Sequence, residues 1–163
     1  MVNDLMDKLS TYDWGSDRAS LAGIDHAIIV AQGDAAKLAE IEAALLEVLQ
    51  SDAALPAKEY ICRQLALIGT ERCVPVLAAM LTDEELSDCA RLALEAIPDA
   101  SVDEALRAAL DKTGGIQRIG VVNTIGERGD QGAVPALLEM RNNPDGDLTK
   151  AVETALRKIA PPA

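Results

Sequence analysis

Apolar residues recur along the chain with the spacing of helices, and the recurrence itself repeats. In Tyr60-Ile61-Cys62-Arg63-Gln64-Leu65-Ala66-Leu67-Ile68-Gly69, the residues Ile61, Leu65 and Ile68 fall at i, i+4 and i+7, one face of an α-helix. Leu65 aligns with Leu94, Ile125 and Leu156, at spacings of 29, 31 and 31 residues. Ile61, Ala90, Val121 and Val152 stand four positions before these anchors, and Ile68, Ile97, Arg128 and Ile159 three positions after them. A second apolar cluster opens roughly nine residues past the anchor, with Val74 and Leu77, Val102 and Leu106, or Val134 and Leu137. Two helical patterns per period of about 30 residues predict stacked helical hairpins, each too small to bury its apolar face alone.

Residues 1–33 lie outside the repeat. A short apolar start (Val2, Leu5, Met6, Leu9) runs into a turn over 11–17, and a helix follows with Leu21, Ile24, Ile28 and Ala31 on one face. This segment reads as an N-terminal helical cap, in which Tyr12 and Trp14 cover the open end of the stack. Residues 34–163 hold the repeat, and the whole chain has the length of one domain. Asp34 N-caps a helix reaching Gln50, with Leu38, Ile41, Leu45, Val48 and Leu49 on its stripe and Glu40, Glu42 and Glu47 off it. Further helices are predicted over 57–68, 74–81, 86–97, 102–110, 116–125, 134–140 and 148–159. Thr82 and Glu85 have the spacing of a capping box, residues 126–132 read as a glycine-rich connection, and Asp147 as the last N-cap.

Composition narrows the function classes. Apolar residues make up 49% but aromatics only 2%, with no Phe, so the core is aliphatic and suits closely packed helices. A formal charge of −12 argues against binding a nucleic-acid backbone. Three cysteines without a C-x-x-C pair, and no secretory leader pattern, point to the cytoplasm. No apolar run has the length of a membrane span.

Leu65-Ala66-Leu67-Ile68-Gly69-Thr70 followed by Val74-Pro75-Val76-Leu77 resembles the short bacterial HEAT-like repeat, of the type also found in phycobilin lyases. Ile125-Gly126 through Asp130, then Ala133-Val134-Pro135-Ala136-Leu137-Leu138, is similar to it again. The resemblance spans about residues 34–160. It implies an all-α fold, a right-handed α-α superhelix (solenoid) of stacked antiparallel helical hairpins, acting as a non-enzymatic scaffold or adaptor for a protein or peptide partner. By the same analogy the chain could be a chromophore-lyase-like subunit working with a partner. The open ends of so short a stack, with Val152, Ala155, Leu156 and Ile159 on its final helix, would also suit a self-assembling protein that forms homodimers through the solenoid ends. Two positions depart from the repeat. Pro98 replaces the turn glycine of the second unit and would stiffen that turn, and Arg128, where the other units have Ile, would snorkel to solvent.

The resemblance implies that the second helix of each hairpin lines a concave face. The segments 57–69, 86–97, 116–128 and 148–160 carry eight basic and five acidic residues, a net +3 that leaves −15 on the rest of the chain. Such segregation would favour an acidic partner, with Arg63, Arg91, Arg118, Lys150 and Arg157 as contacts. Ordinary intrahelical pairs, such as Arg91 with Glu95, would account for the same charges without a partner. Ile119 and Val122 occupy repeat positions that are charged in neighbouring units. They form a partner-binding apolar patch if they face solvent, and plain core if the helix is slightly rotated.

No catalytic residue, metal site or cofactor site emerges. The single histidine, His26, cannot supply the paired His-Glu sites of some HEAT-like hydroxylases. Cys62, Cys73 and Cys89 read as small buried hydrophobes, with Cys73, in a turn, the most reachable. Asp145-Gly146-Asp147 lacks the remaining ligands of a calcium loop and reads as a turn with an N-cap.

Overall fold

The computed structural model describes residues 2–160, and among these the chain forms ten α-helices and no strand. They are α1 (Val2–Ser10), α2 (Ala22–Val30), α3 (Ala35–Leu49), α4 (Leu55–Ile68) and α5 (Val74–Ala79), then α6 (Ser87–Ala96), α7 (Ala100–Leu110), α8 (Gly115–Arg128), α9 (Val134–Met140) and α10 (Gly146–Ile159). Short 3-10 turns precede α2, α5 and α9, and another follows α5.

The repeat anchors lie where the aliphatic stripe puts them. Leu65, Leu94 and Ile125 are completely buried, and Leu156 is half-buried at the last unit. The helices that carry them pack in a row, α4 on α6, α6 on α8 and α8 on α10. The helices between them pack behind this row, with α5 against α6, α7 against α8 and α9 against α10. Links within the row join residues at nearly equal offsets from their anchors. Arg91 reaches Thr124 between α6 and α8, and Lys158 reaches Glu127 between α10 and α8. The row helices therefore run in the same direction and nearly in register.

Small residues set how closely the row packs. Gly126 lies inside α8, not in a connection, and a Cβ built on it would sit 2.7 Å from the Ala155 Cα of α10. The helix ends three residues later at Gly129, whose φ of +68° is the left-handed conformation that glycine adopts without cost.

Polar positions depart from the stripe pattern more than apolar ones. Glu42, expected off the stripe of α3, is 1% exposed. Its Oε1 accepts from the Thr70 backbone N–H at 2.7 Å, the Thr70 hydroxyl at 2.8 Å and the Cys73 thiol at 2.9 Å. A buried carboxylate thus fastens the turn after α4, and Cys73 is buried rather than reachable. Burial, followed by the bond to Glu42, pushes the Cys73 thiol up to about 12.

Arg128 does not snorkel. Pro98 follows α6, and no glycine closes that helix end. The Arg128 guanidinium occupies the place, donating to the carbonyls of Glu95 at 3.1 Å, Ile97 at 2.8 Å and Asp99 at 3.0 Å, and to the Asp103 carboxylate at 2.5 Å. With the Leu94 carbonyl at 3.4 Å as well, five acceptors around one planar donor fork keep its charge inside.

Trp14 covers nothing and is 74% exposed. Its loop closes on itself, with Asp13 Oδ1 accepting from the Trp14 N–H and Ser16 Oγ from the Asp13 N–H. Aliphatic residues of the N-terminal segment, Met6, Leu9, Leu21 and Ile24, are buried instead, and Tyr12 is half-buried against them. The buried aromatic is Tyr60, whose hydroxyl donates to Asp25 at 2.8 Å beneath the Arg18 guanidinium. Two caps also shift. Asp83 rather than Thr82 accepts the N–H groups of Glu85 and Leu86, and Asp145 rather than Asp147 caps α10. In each case a carboxylate one or two residues from the expected cap reaches the free N–H groups better.

Candidate functional site

The outer face of the α4–α6–α8–α10 row is where the sequence places a partner, and its residues divide into two groups. Arg91 is tied into the structure. Its guanidinium donates to Thr124 Oγ1 at 3.0 Å and to Asp88 at 3.3 Å, with Glu95 at 3.9 Å. Thr124 is itself buried and donates its hydroxyl to Glu95 at 2.7 Å, so Arg91, Thr124 and Glu95 form one chain of bonds between α6 and α8. Arg118 is half-buried, and its Nε is sealed from solvent. Val122 is completely buried and belongs to the core, which removes it as a contact. Ile119 is half-buried against the core, while Ile116, three residues earlier, is exposed. A helix turned to seat Val121, Val122 and Ile125 leaves Ile116, in its first turn, as its exposed large apolar residue.

Arg63, Lys150 and Arg157 are exposed. Lys150 pairs with Asp147 at 3.2 Å, and Arg157 leans along its own helix onto Thr154. Arg63 takes part in no ion pair or hydrogen bond among the described residues. It stands on the rim of an open cleft of about 400 Å³ between α4 and α6, which is also lined by Glu59, Cys62, Asp88, Cys89 and Leu92.

Two residues that the sequence reading passed over share this face. Leu92 is 54% exposed, and Leu67, one helical turn beyond Arg63, is 73% exposed. Both fall off the buried anchor stripe, which is the signal that could have found them. An exposed cation and apolar surface thus lie together at α4 and α6, while Arg91 of α6 and Arg128 of α8 are held by internal bonds and Arg118 is half-buried.

The other features offer less. His26 is exposed beside an apolar depression lined by Leu5, Val30 and Ile41. Among the described residues, no group of three or more His, Cys, Asp or Glu side chains is arranged to hold a metal ion. No helix among them is long and apolar enough to cross a membrane. No protein-family model and no curated protein matches the chain.

Proposed function

We propose that the protein is a non-enzymatic scaffold or adaptor, a short HEAT-like solenoid that docks a protein or peptide segment at the α4/α6 end of its helix row. The observation that carries this reading is the exposed, unpaired Arg63 beside Leu67 and Leu92 at an open cleft. Arginine and large apolar side chains at the centre of a contact are the residue types that contribute most to association. A partner segment carrying a carboxylate next to an aliphatic side chain would pair with Arg63 and cover Leu92. This site replaces the broad basic groove, because Arg91 is held by Thr124 and Asp88 and Arg118 is half-buried, whereas Arg63 is exposed. Three unpaired cysteines fit a reducing compartment such as the cytoplasm.

The test is a display library of short peptides graded in acidic and aliphatic content, with the best binder titrated by fluorescence anisotropy. Binding should weaken at least tenfold in Arg63→Glu and in Leu92→Asp, and should fall as salt rises from about 50 to 300 mM. Equal affinity for the wild type and both variants would remove this site.

A second reading, self-association, has its own observation. At the far end of the row, half-buried Val134 and Leu156 with exposed Leu138 line an open trough beside Arg157. Sedimentation velocity of the wild type against Leu138→Glu tests it, since a dimer built there separates in the variant.

A further inference from the structure

We propose that Cys62 and Cys89 form a reversible disulfide site, closed by a peroxide oxidant and reopened by a thiol reductant. The inference does not depend on the docking reading, although the two share one cleft. Cys62 is on α4 and Cys89 on α6, neighbouring helices of the row, and both side chains line the α4/α6 cleft. Cys62 is buried on its floor, whereas Cys89 is half-buried and faces the opening. A small oxidant therefore meets Cys89 first.

The two thiols line one cleft from neighbouring packed helices and act on each other's ionisation, Cys62 as donor and the Cys89 sulfur as acceptor. In its neutral form Cys89 donates onward to the Leu86 carbonyl at 3.2 Å. The bond from Cys62 holds the Cys89 thiol below the usual range, against the opposing effects of burial and of Glu59. The same bond, with burial, holds Cys62 far above that range. The charged groups around the pair are Glu59, Arg63, Glu85 and Asp88. This asymmetry gives one sulfur the nucleophile's part and the other the resolving part.

The chemistry balances with hydrogen peroxide as the oxidant. The Cys89 thiolate attacks one peroxide oxygen, the O–O bond breaks, and the departing hydroxide takes a proton to leave as water. Cys89 is then a sulfenic acid. The Cys62 sulfur attacks the Cys89 sulfur, gives up its proton, and expels the hydroxyl group as a second water. Two thiols and one peroxide become one disulfide and two waters, with two electrons passing from sulfur to oxygen. Closing the bond brings the two sulfurs to about 2.05 Å, which asks α4 and α6 to approach across the cleft that both side chains line.

The experiment uses the full chain treated with hydrogen peroxide under native conditions, then denatured for thiol counting and peptide mass analysis. Free thiols should fall from three to one, and the mass of a Cys62–Cys89 linked peptide pair should be about 2 Da below that of its separate reduced halves. Dithiothreitol should restore all three. Cys89→Ser, altering the half-buried member, should leave Cys62 unoxidised at the same dose. Phenylarsine oxide, which bridges two thiols within reach, should bind the untreated wild type with one equivalent and not bind Cys89→Ser. The proposal is overturned if oxidation stops at a Cys89 sulfinic acid with Cys62 still free, if the only disulfide joins two chains, or if the arsenical fails to bind the wild type.

Discussion

Arg128 Nε lies 2.5 Å from Asp103 Oδ1, while the other guanidinium nitrogens close over the carbonyls that end α6. One residue of α8 thus completes a helix that ended some thirty residues before it. Replacing it with Met leaves a largely buried carboxylate and several carbonyls unpaired. We expect a loss of about 3 kcal/mol in urea unfolding. Arg128→Ile, which restores the residue type of the other repeats, should cost as much, and Arg128→Lys should recover only part, because an ammonium cannot span the same acceptors.

Gly126→Ala tests the closest approach in the row. The added Cβ would meet backbone and Cβ of Ala155 at 2.7 and 2.9 Å, and backbone cannot swing aside. Although alanine is the better helix former, the net change should be a destabilisation of about 1–3 kcal/mol. Ala155→Gly in the same chain should return part of it, read as a coupling energy in a double-mutant cycle.

Glu42 is the sole side-chain acceptor for three donors in the turn after α4. Glu42→Ala should cost about 2–3 kcal/mol, because the Thr70 N–H is left without its partner. Native-state labelling of Cys73 by a thiol reagent, negligible in the wild type, should become measurable in this variant.

Stability should fall at alkaline pH. The folded state holds the protons of Cys73 and Tyr60 more tightly than the unfolded chain, whose groups titrate near 9.0 and 10.0. Their contribution is complete below about pH 9 and is lost as the pH climbs towards 12. Asp34 and Asp99 act in the opposite direction, since caps and neighbouring donors lower both from 3.8. Their contribution holds above that value and disappears as the pH falls through the lowered ones. Urea midpoints across pH should show a weaker alkaline decline in Cys73→Ala than in the wild type.

Trp14→Ala should change stability by no more than about 0.5 kcal/mol, since an exposed side chain on a self-closed loop buries nothing. The emission maximum of Trp14 should barely move when the protein unfolds, and circular dichroism at 222 nm should be needed to follow the transition.

The apolar half of the structure was legible because aliphatic spacing and helical geometry are the same information. Val134–Met140 forms with the bounds its stripe predicts, and Asp34 caps α3 as its position requires. The polar half was not, because its partners lie about one repeat away. Nothing near Glu42 in sequence says that Thr70 and Cys73 need an acceptor. Arg128 looked like a stray charge until set beside Pro98, where the helix-closing glycine is missing; the two departures are halves of one feature. At the candidate site the same blindness turned Arg91 into a ligand contact, although Thr124 and Glu95 already hold it. Arg63 shares its cleft with Glu59, Glu85 and Asp88, forms no ion pair with them and stays exposed.

The side-chain hydrogen bonds that join separate elements among the described residues connect positions 23 to 39 residues apart. No rung of this ladder ties the first helix to the last. A tension applied at the two ends would pass through the α4/α6, α6/α8 and α8/α10 seams one after another, as along links of a chain. The seam that yields first would set the breaking force of the whole row.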